Sequence, residues 1–375
     1  MKQEITVVKV STRCQLRTFI TYPERLYKNC DNWVPALIGD EFETLRKDKN
    51  PAFEFCDADY FLAYRDGKVV GRVAAIINHN ANRTWDCKVV RFGWLDFVDD
   101  ADVLKALLSE VEKWGAERGC DTMKGPLGFT DMDKEGSLVE GYENLSSFTC
   151  LYNYPYYDTR LKEYGLEKDA DWLQDWVEIS PQLPEVLKYA ELVEKRFGLR
   201  VYQARSMKEL GDKYGKALFH TLNEAFAPLY QFTKLSEKQI DAYVKSYLGI
   251  LNKDFVCILV DREDKAVGFA VCVPSLSKAI KKARGRLFPF GFIPILKALN
   301  SNDTIEALMI GVLPEYQRMG ASALIFKYLH ENAIKYGIKR MVMNPQLETN
   351  LKVQTLFDVY KPKPYTRRRS YSKKI

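Results

Sequence analysis

From Ile305 to Gly320 the chain reads Ile-Glu-Ala-Leu-Met-Ile-Gly-Val-Leu-Pro-Glu-Tyr-Gln-Arg-Met-Gly. An apolar strand pattern ends at a Pro-Glu-Tyr turn and passes into Gln317-x-x-Gly320-x-Ser322. Helical spacing begins at once, at Ala323, Leu324, Ile325, Tyr328, Leu329 and Ala333. This order constrains the fold more than anything else in the sequence. Strand, small-residue loop and helix start make an anion cradle. The first amides of a helix have no intrahelical partner, and the helix dipole adds partial positive charge there. Gly320 lets the backbone approach a phosphate with no Cβ in the way.

The loop resembles the acyl-CoA pyrophosphate loop of the GNAT acyltransferase superfamily, Gln/Arg-x-x-Gly-x-Gly/Ala. Gln317, Gly320 and the preceding Val312-x-Pro314-Glu315-Tyr316 match it, while Ser322 adds a hydroxyl where Gly or Ala is usual. Tyr336-Gly337, a strand pattern at Lys339–Met343 and Asn350 opening another helical stretch come next, in the family's order. The resemblance implies that pantetheine runs along Met309, Ile310, Gly311 and Val312, with an amide of Met309–Gly311 polarising the acyl carbonyl. It implies a pyrophosphate site at Gln317, Arg318, Met319, Gly320, Ala321 and Ser322, with Asn350 on the pantetheine amides. Acetyl-CoA or another acyl-CoA is then the co-substrate, and no metal is needed.

A second pattern is internal. Phe61–Ala75 and Val256–Val271 both read as strand, turn and strand, with Gly71 and Gly268 at matching places 197 positions apart. Trp114–Pro126 and Ala333–Pro345 both end a helix and open a strand, with Gly119 and Gly337 218 positions apart. The expected class is α/β: two GNAT-like domains, each a mixed twisted sheet flanked by helices. Their expected extents are 1–180, a degenerate copy without the CoA loop, and 181–375, the acyl-CoA-binding copy. In the first copy, strand Val89–Val98 runs into Asp99-Asp100-Ala101-Asp102 and a helix. Three carboxylates start a helix well but repel a pyrophosphate. Tandem arrangements occur in mycothiol synthases, N-myristoyltransferases and Fem-type aminoacyltransferases, and a pair of unrelated α/β domains is the alternative.

The 375-residue length suits two cores, and 46% apolar content supports globular packing. A net charge of +6 is compatible with CoA and does not demand nucleic acid. The first residues have no secretory pattern and no apolar run approaches membrane-spanning length, so a cytoplasmic protein without a membrane span is expected. Eight scattered cysteines without a C-x-x-C pair read as reduced thiols, and three histidines away from them argue against structural zinc.

Amine acylation by a thioester needs a base, a polarised carbonyl and a proton for the departing thiolate. Glu306 is the candidate base, six residues before Val312, where the histone-type branch of the superfamily carries its catalytic Glu. Period-two counting puts Glu306 on one face with Leu308, Ile310 and Val312; the alternative is a wet strand end beside Asn302-Asp303-Thr304. For the acid, the family's Asn-x-x-Ala-x-x-Leu-Tyr becomes Asn350-Leu-Lys-Val353-Gln-Thr-Leu356-Phe357, so the Tyr position holds Phe. Tyr360, one turn on, is the substitute candidate. No chemistry is assigned to His79, His220 or His330.

About thirty residues separate the strand patterns Ala266–Val273 and Thr304–Val312, basic over Ser277–Arg286 and aromatic over Leu287–Leu296. They read as a cover for the acceptor cleft, a membrane-surface contact, or a flap burying its aromatics between the copies. The basic Tyr365–Lys374 reads as a last strand with a charged edge, the sharper alternative being a contact with the CoA 3′-phosphate. Together these readings predict an acyl-CoA-dependent N-acyltransferase, with acetyl-CoA the expected donor, acting on a small-molecule or peptide amine bound between the domains. The alternatives are a non-catalytic, regulatory CoA-binding protein and a Fem-like aminoacyl or acyl transferase with another donor.

Overall fold

The structure is a computed structural model that describes residues 4–247 and 251–375. In chain order the helices are α1 (Arg13–Leu26), α2 (Ile38–Leu45), α3 (His79–Thr84), α4 (Ala101–Ala116), α5 (Tyr156–Glu163), α6 (Ala190–Phe197), α7 (Met207–Phe226), α8 (Glu237–Tyr247), α9 (Ser277–Ala283), α10 (Phe292–Asn300), α11 (Ala321–Lys335) and α12 (Leu351–Leu356). The strands are β1 (Thr6–Lys9), β2 (Cys56–Arg65), β3 (Lys68–Asn78), β4 (Val89–Phe97), β5 (Thr122–Gly125), β6 (Ser137–Glu140), β7 (Glu167–Glu178), β8 (Arg200–Val201), β9 (Val256–Val260), β10 (Ala266–Pro274), β11 (Thr304–Val312), β12 (Arg340–Met343), β13 (Gln346–Leu347) and β14 (Lys363–Lys374). The chain forms two compact units. Unit 1 holds the residues up to Leu173 together with Leu276–Ile295 and Thr366–Ile375; unit 2 holds Gln174–Ser275 and Leu296–Tyr365. The expected domains, 1–180 and 181–375, are two continuous stretches. The units instead draw on separate pieces of chain, because two segments late in the sequence find their packing partners in unit 1.

In unit 1, β1–β2–β3–β4 are antiparallel neighbours and β5 lies parallel to β4, with Val89 opposite Thr122 and Arg91 opposite Lys124. Helix α4 buries Val103, Leu104, Leu107, Leu108, Val111 and Trp114, the i, i+3, i+4 spacing that lays one apolar stripe on a sheet. It comes so close that a Cβ at Gly71 on β3 would stand 2.7 Å from Leu107. That is why a glycine sits there.

Unit 2 repeats the plan. β9, β10 and β11 are antiparallel neighbours, and β12 runs parallel to β11 from Thr304 opposite Arg340 to Ala307 opposite Met343. Helix α11 buries Leu324, Ile325, Phe326, Leu329 and Ala333 on one sheet face, while α7 and α8 belong to the other. The glycines that suggested a repeat hold equivalent places. Gly71 pairs with Phe97, the last residue of β4, and Gly268 with Val312, the last of β11. Gly119 and Gly337 both come after the long helix at positive φ, +80° and +69°.

The basic C-terminal segment is not a solvated edge. β14 pairs with β5 from Tyr371 to Lys374 and with β6 at Arg367–Arg369, inside unit 1. Arg368 is buried, and Arg367 and Arg369 both donate at 2.8 Å to Asp171, whose side chain is fully buried. Burial pushes the Asp171 carboxyl up, but the bonds from Arg369, Lys168 and Arg367 outweigh it and hold it at about 2. A depressed carboxylate pKa contributes stability above its ordinary value of 3.8, which is lost as pH falls towards about 2. Calorimetry should therefore show the melting temperature falling across that window. In Asp171→Asn it should start lower at neutral pH and lose this part of the acid sensitivity.

Candidate functional site

The pairing of β10 with β11 is broken at one point: Val271 faces Met309 and Cys272 faces Ala307, so Leu308 is a bulge with no opposite number. An extra residue reverses which face the subsequent side chains take. Ile305 and Ala307, then Ile310 and Val312, pack into the core under α11. Met309 turns to the α7 side, where Gly311 also faces Phe269 and Ala225. Glu306 therefore lies on the α7 face with Met309 and Gly311, and not with Ile310 and Val312 as unbroken alternation predicts. Nor is it a wet strand end. Glu306 is buried, and Ser275 at the end of β10 donates a 2.6 Å hydrogen bond to its carboxylate.

Beyond Ala307 and Met343 the β11–β12 ladder stops after one more backbone bond, Asn344 N–H to Ala307 O at 2.9 Å. β11 continues for five residues, Leu308–Val312, with β10 on one side and no β12 ladder on the other. This wedge leads to the turn Pro314–Met319, a single 3-10 stretch, and then to Gly320 at φ +75°. Gln317 folds back, its side-chain amide donating to Val312 O at 3.0 Å and closing the turn. A Cβ at Gly320 would stand 3.1 Å from Val193 of α6, and the left-handed backbone favours glycine there independently. Helix α11 starts without any side-chain cap; of its first amides, Ala323 N–H goes to Gly320 O. Arg318 is exposed, and Met319, Gly320 and Ser322 are half-buried around the corner.

The same corner in unit 1 is closed by the protein's own carboxylate. Asp100 accepts from the amides of Asp102 at 2.8 Å and Val103 at 3.4 Å, and pairs with Arg65 at 2.8 Å. Burial works against this carboxyl's ionisation, yet the Arg65 bond and the helix amides hold its pKa below the usual range. The wedge beside it is occupied too. Leu127 N–H bonds Phe92 O, a Cβ at Gly93 would stand 2.5 Å from Leu127 O, and Arg91 donates to Gly128 O. One copy leaves its helix start without a side-chain cap; the other has filled it.

Tyr360 is not brought to Glu306. It packs into the α11 side of the core, stacked on His330 at 5.7 Å and edge-on to Phe326 at 6.1 Å. Burial pushes its hydroxyl well above the ordinary value of 10, which makes it a packing group and a reluctant acid. Phe357 is buried against Phe326 at 5.0 Å. Asn350 takes the N-cap place of α12, but its side chain makes no capping bond.

Two features escaped the sequence reading. Ser275 is one; the hairpin register of β10 and β11 was its signal. The other is an apolar pocket of about 40 Å³ in unit 2, lined by Leu210, Gly211, Leu218, Val244, Val271 and Met309 among others, with no polar surface in its lining. No sequence window reports it, since its walls come from α7, α8, β10 and β11. Unit 1 has a cavity of about 220 Å³ lined by Tyr27, Trp33, Trp94, Glu24, Glu41 and Asp96 among others. Its carboxylates are tied to the fold: Asp96 by Arg72 and Tyr27, Glu41 by Trp94, Asp133 by the Thr130 amide, and Glu24 through one oxygen by Arg286.

Residues 216–358 match the family model of the acetyltransferase (GNAT) family. Protein YghO of Escherichia coli (strain K12) is 26% identical over 369 residues, 96% of this chain and 93% of that protein. A bacterial ceramide synthase of Caulobacter vibrioides (strain NA1000 / CB15N) is 25% identical over 354 residues, 92% of this chain and 91% of its own. Among solved structures, a tandem GNAT protein from the clavulanic acid biosynthesis pathway matches at TM-score 0.59 and 12% identity, over 99% of this chain and 98% of that one. The C-terminal region is a GNAT-family domain, and the chain as a whole has the tandem GNAT fold, as the loop and the repeat predicted.

Proposed function

We propose, for this tandem GNAT fold with its family domain in the C-terminal region, an acyl-CoA-dependent N-acyltransferase whose donor site is the corner between β11 and α11. The observation that carries the reading is the contrast between the two helix starts: α11 is uncapped beside the part of β11 that has no ladder to β12, and α4 is capped by Asp100. Acyl-CoA, when bound, would supply an activated thioester. The amides at Gly320–Ser322 hold its phosphates, Gln317 keeps the turn closed, and the β11 segment Met309–Gly311 lies where a backbone amide polarises a carbonyl. Glu306, oriented by Ser275, accepts the amine proton through water. Phe357 offers no proton, so the thiolate leaves without side-chain help.

A longer acyl chain than acetyl is favoured by the apolar pocket beside Met309, and the relative named a bacterial ceramide synthase supports a lipid-type donor or acceptor. Purified protein assayed for thiol release with acetyl-, octanoyl- and palmitoyl-CoA across panels of amino alcohols, long-chain amino alcohols and peptides tests both statements. Release with none of them, despite CoA binding by calorimetry, would favour the non-catalytic module. Leu218→Trp narrows the pocket and is expected to lower the palmitoyl-to-acetyl ratio of kcat/KM about tenfold, the low end of what one methylene is worth in an apolar slot. An unchanged ratio would place the acyl chain elsewhere.

A further inference from the structure

From Ser277 to Asn300 the sequence contains four lysines, two arginines and no acidic residue. The start of this segment is tied firmly to unit 1. Ala279 and Ile280 of α9 are buried, and Gly285 O accepts from Ile38 N–H at 2.9 Å. A Cβ at Gly285 would come within 2.3 Å of Ala36 O, so the backbone there is pressed against its neighbour. Arg286 pairs with Glu24 at 2.8 Å, and Lys281 reaches Asp31.

Past this anchor the chain is largely uncovered. Phe288 is 80% exposed, Phe290 72% and Ile293 54%, and α10 has no buried residue despite opening Phe-Ile-Pro-Ile-Leu. Of the three readings of this insertion, the flap with its aromatics packed away is therefore not what forms. Single exposed apolar residues are ordinary, but several within six positions mark an interaction surface. Beside them Lys278, Lys282 and Arg284 are exposed, and none of the three is in an ion pair among the described residues.

We propose that this anchored loop docks the protein on the surface of an anionic lipid bilayer. Phe288, Phe290 and Ile293 enter the headgroup–acyl boundary, and Lys278, Lys282 and Arg284 meet the lipid phosphates. The charge pattern selects this occupant. Lys278, Lys282 and Arg284, outside the ion pairs that Glu24 and Asp31 make with Arg286 and Lys281 and close in sequence to apolar tips, complement a surface that is negative outside and apolar just beneath. A continuous amphipathic helix is unnecessary, because the contacts at Ile280, Gly285 and Arg286 already hold the tip in place. The protein then lies on the membrane; no helix among the described residues is long and apolar enough to cross it. The inference stands whichever acyl donor is used.

The test is flotation of the full-length protein with vesicles of phosphatidylcholine alone or mixed with phosphatidylglycerol, at low and high salt. The intact chain should float only with the anionic vesicles and less at high salt. Phe288→Ser with Phe290→Ser should lower the partition coefficient more than about tenfold. Lys278→Gln and Lys282→Gln should each lower it about fivefold. All four positions are exposed, so melting temperatures should not move. Equal partitioning of intact and substituted protein, or none of the intact protein, overturns the proposal. So does a dimer in light scattering that the phenylalanine changes dissociate, since the patch would then belong to a second copy.

Discussion

Ser322→Asp is expected to weaken CoA binding about a thousandfold while leaving the protein as stable as before or slightly more so. Position 322 is the second residue of α11, in the turn whose amides have no side-chain partner. A carboxylate there interacts well with the helix dipole, by about 0.3–1 kcal/mol. Towards a bound phosphate it acts in the opposite direction: like charges about 4 Å apart near a protein surface repel by about 4 kcal/mol. The two effects have opposite signs, which separates loss of a site from loss of a fold. Unit 1 already carries the natural version of this change, in Asp100 bonded to the amides of Asp102 and Val103. Calorimetric titration with CoA, paired with a thermal melt, is the measurement. Undiminished affinity would mean that the phosphates bind elsewhere. Gly320→Glu is a less clean probe, because the +75° φ and the nearby Val193 make it destabilising on their own account.

Glu306→Gln should lower kcat by about a hundredfold to a thousandfold with little change in donor affinity. The glutamine can still accept the hydrogen bond from Ser275, so the buried geometry is retained and stability is expected to hold. What disappears is the ability to take a proton. A buried carboxylate of purely structural importance would give a destabilised protein with normal turnover per folded molecule. That pattern would remove Glu306 from the mechanism and leave substrate positioning as the source of rate.

The GNAT-like corner was legible because its signals are local. The Pro314 turn, Gly320 and the helical spacing from Ala323 to Ala333 lie within some twenty residues, and each has a physical reason that needs no distant partner. The repeat was legible for a related reason. Gly71 and Gly268 lie at equivalent pairings, Gly71 where α4 presses on the sheet, and Gly119 and Gly337 need positive φ. Such sites leave a mark in sequence because few residues fit them.

Glu306 shows where that legibility stops. Its distance from Val312 could be counted, but its face could not, because the Leu308 bulge is created by pairing with a strand more than thirty residues earlier. The arginines of β14 look like a solvated edge until Asp171, nearly two hundred residues away, is set beside them. The aromatic insertion reads in sequence as a cleft cover, a membrane contact or a buried flap, and it is its basic start that packs while Phe288, Phe290 and Ile293 stay exposed. By itself, then, the sequence determined the elements, their order and the strand–turn–helix corner at Gly320, all set by backbone sterics and local periodicity. Tertiary structure alone decided which face the carboxylate takes, which charges are neutralised and which apolar side chains stay in water. Those outcomes depend on register and burial between segments far apart in the chain, where one inserted residue reverses every side chain beyond it.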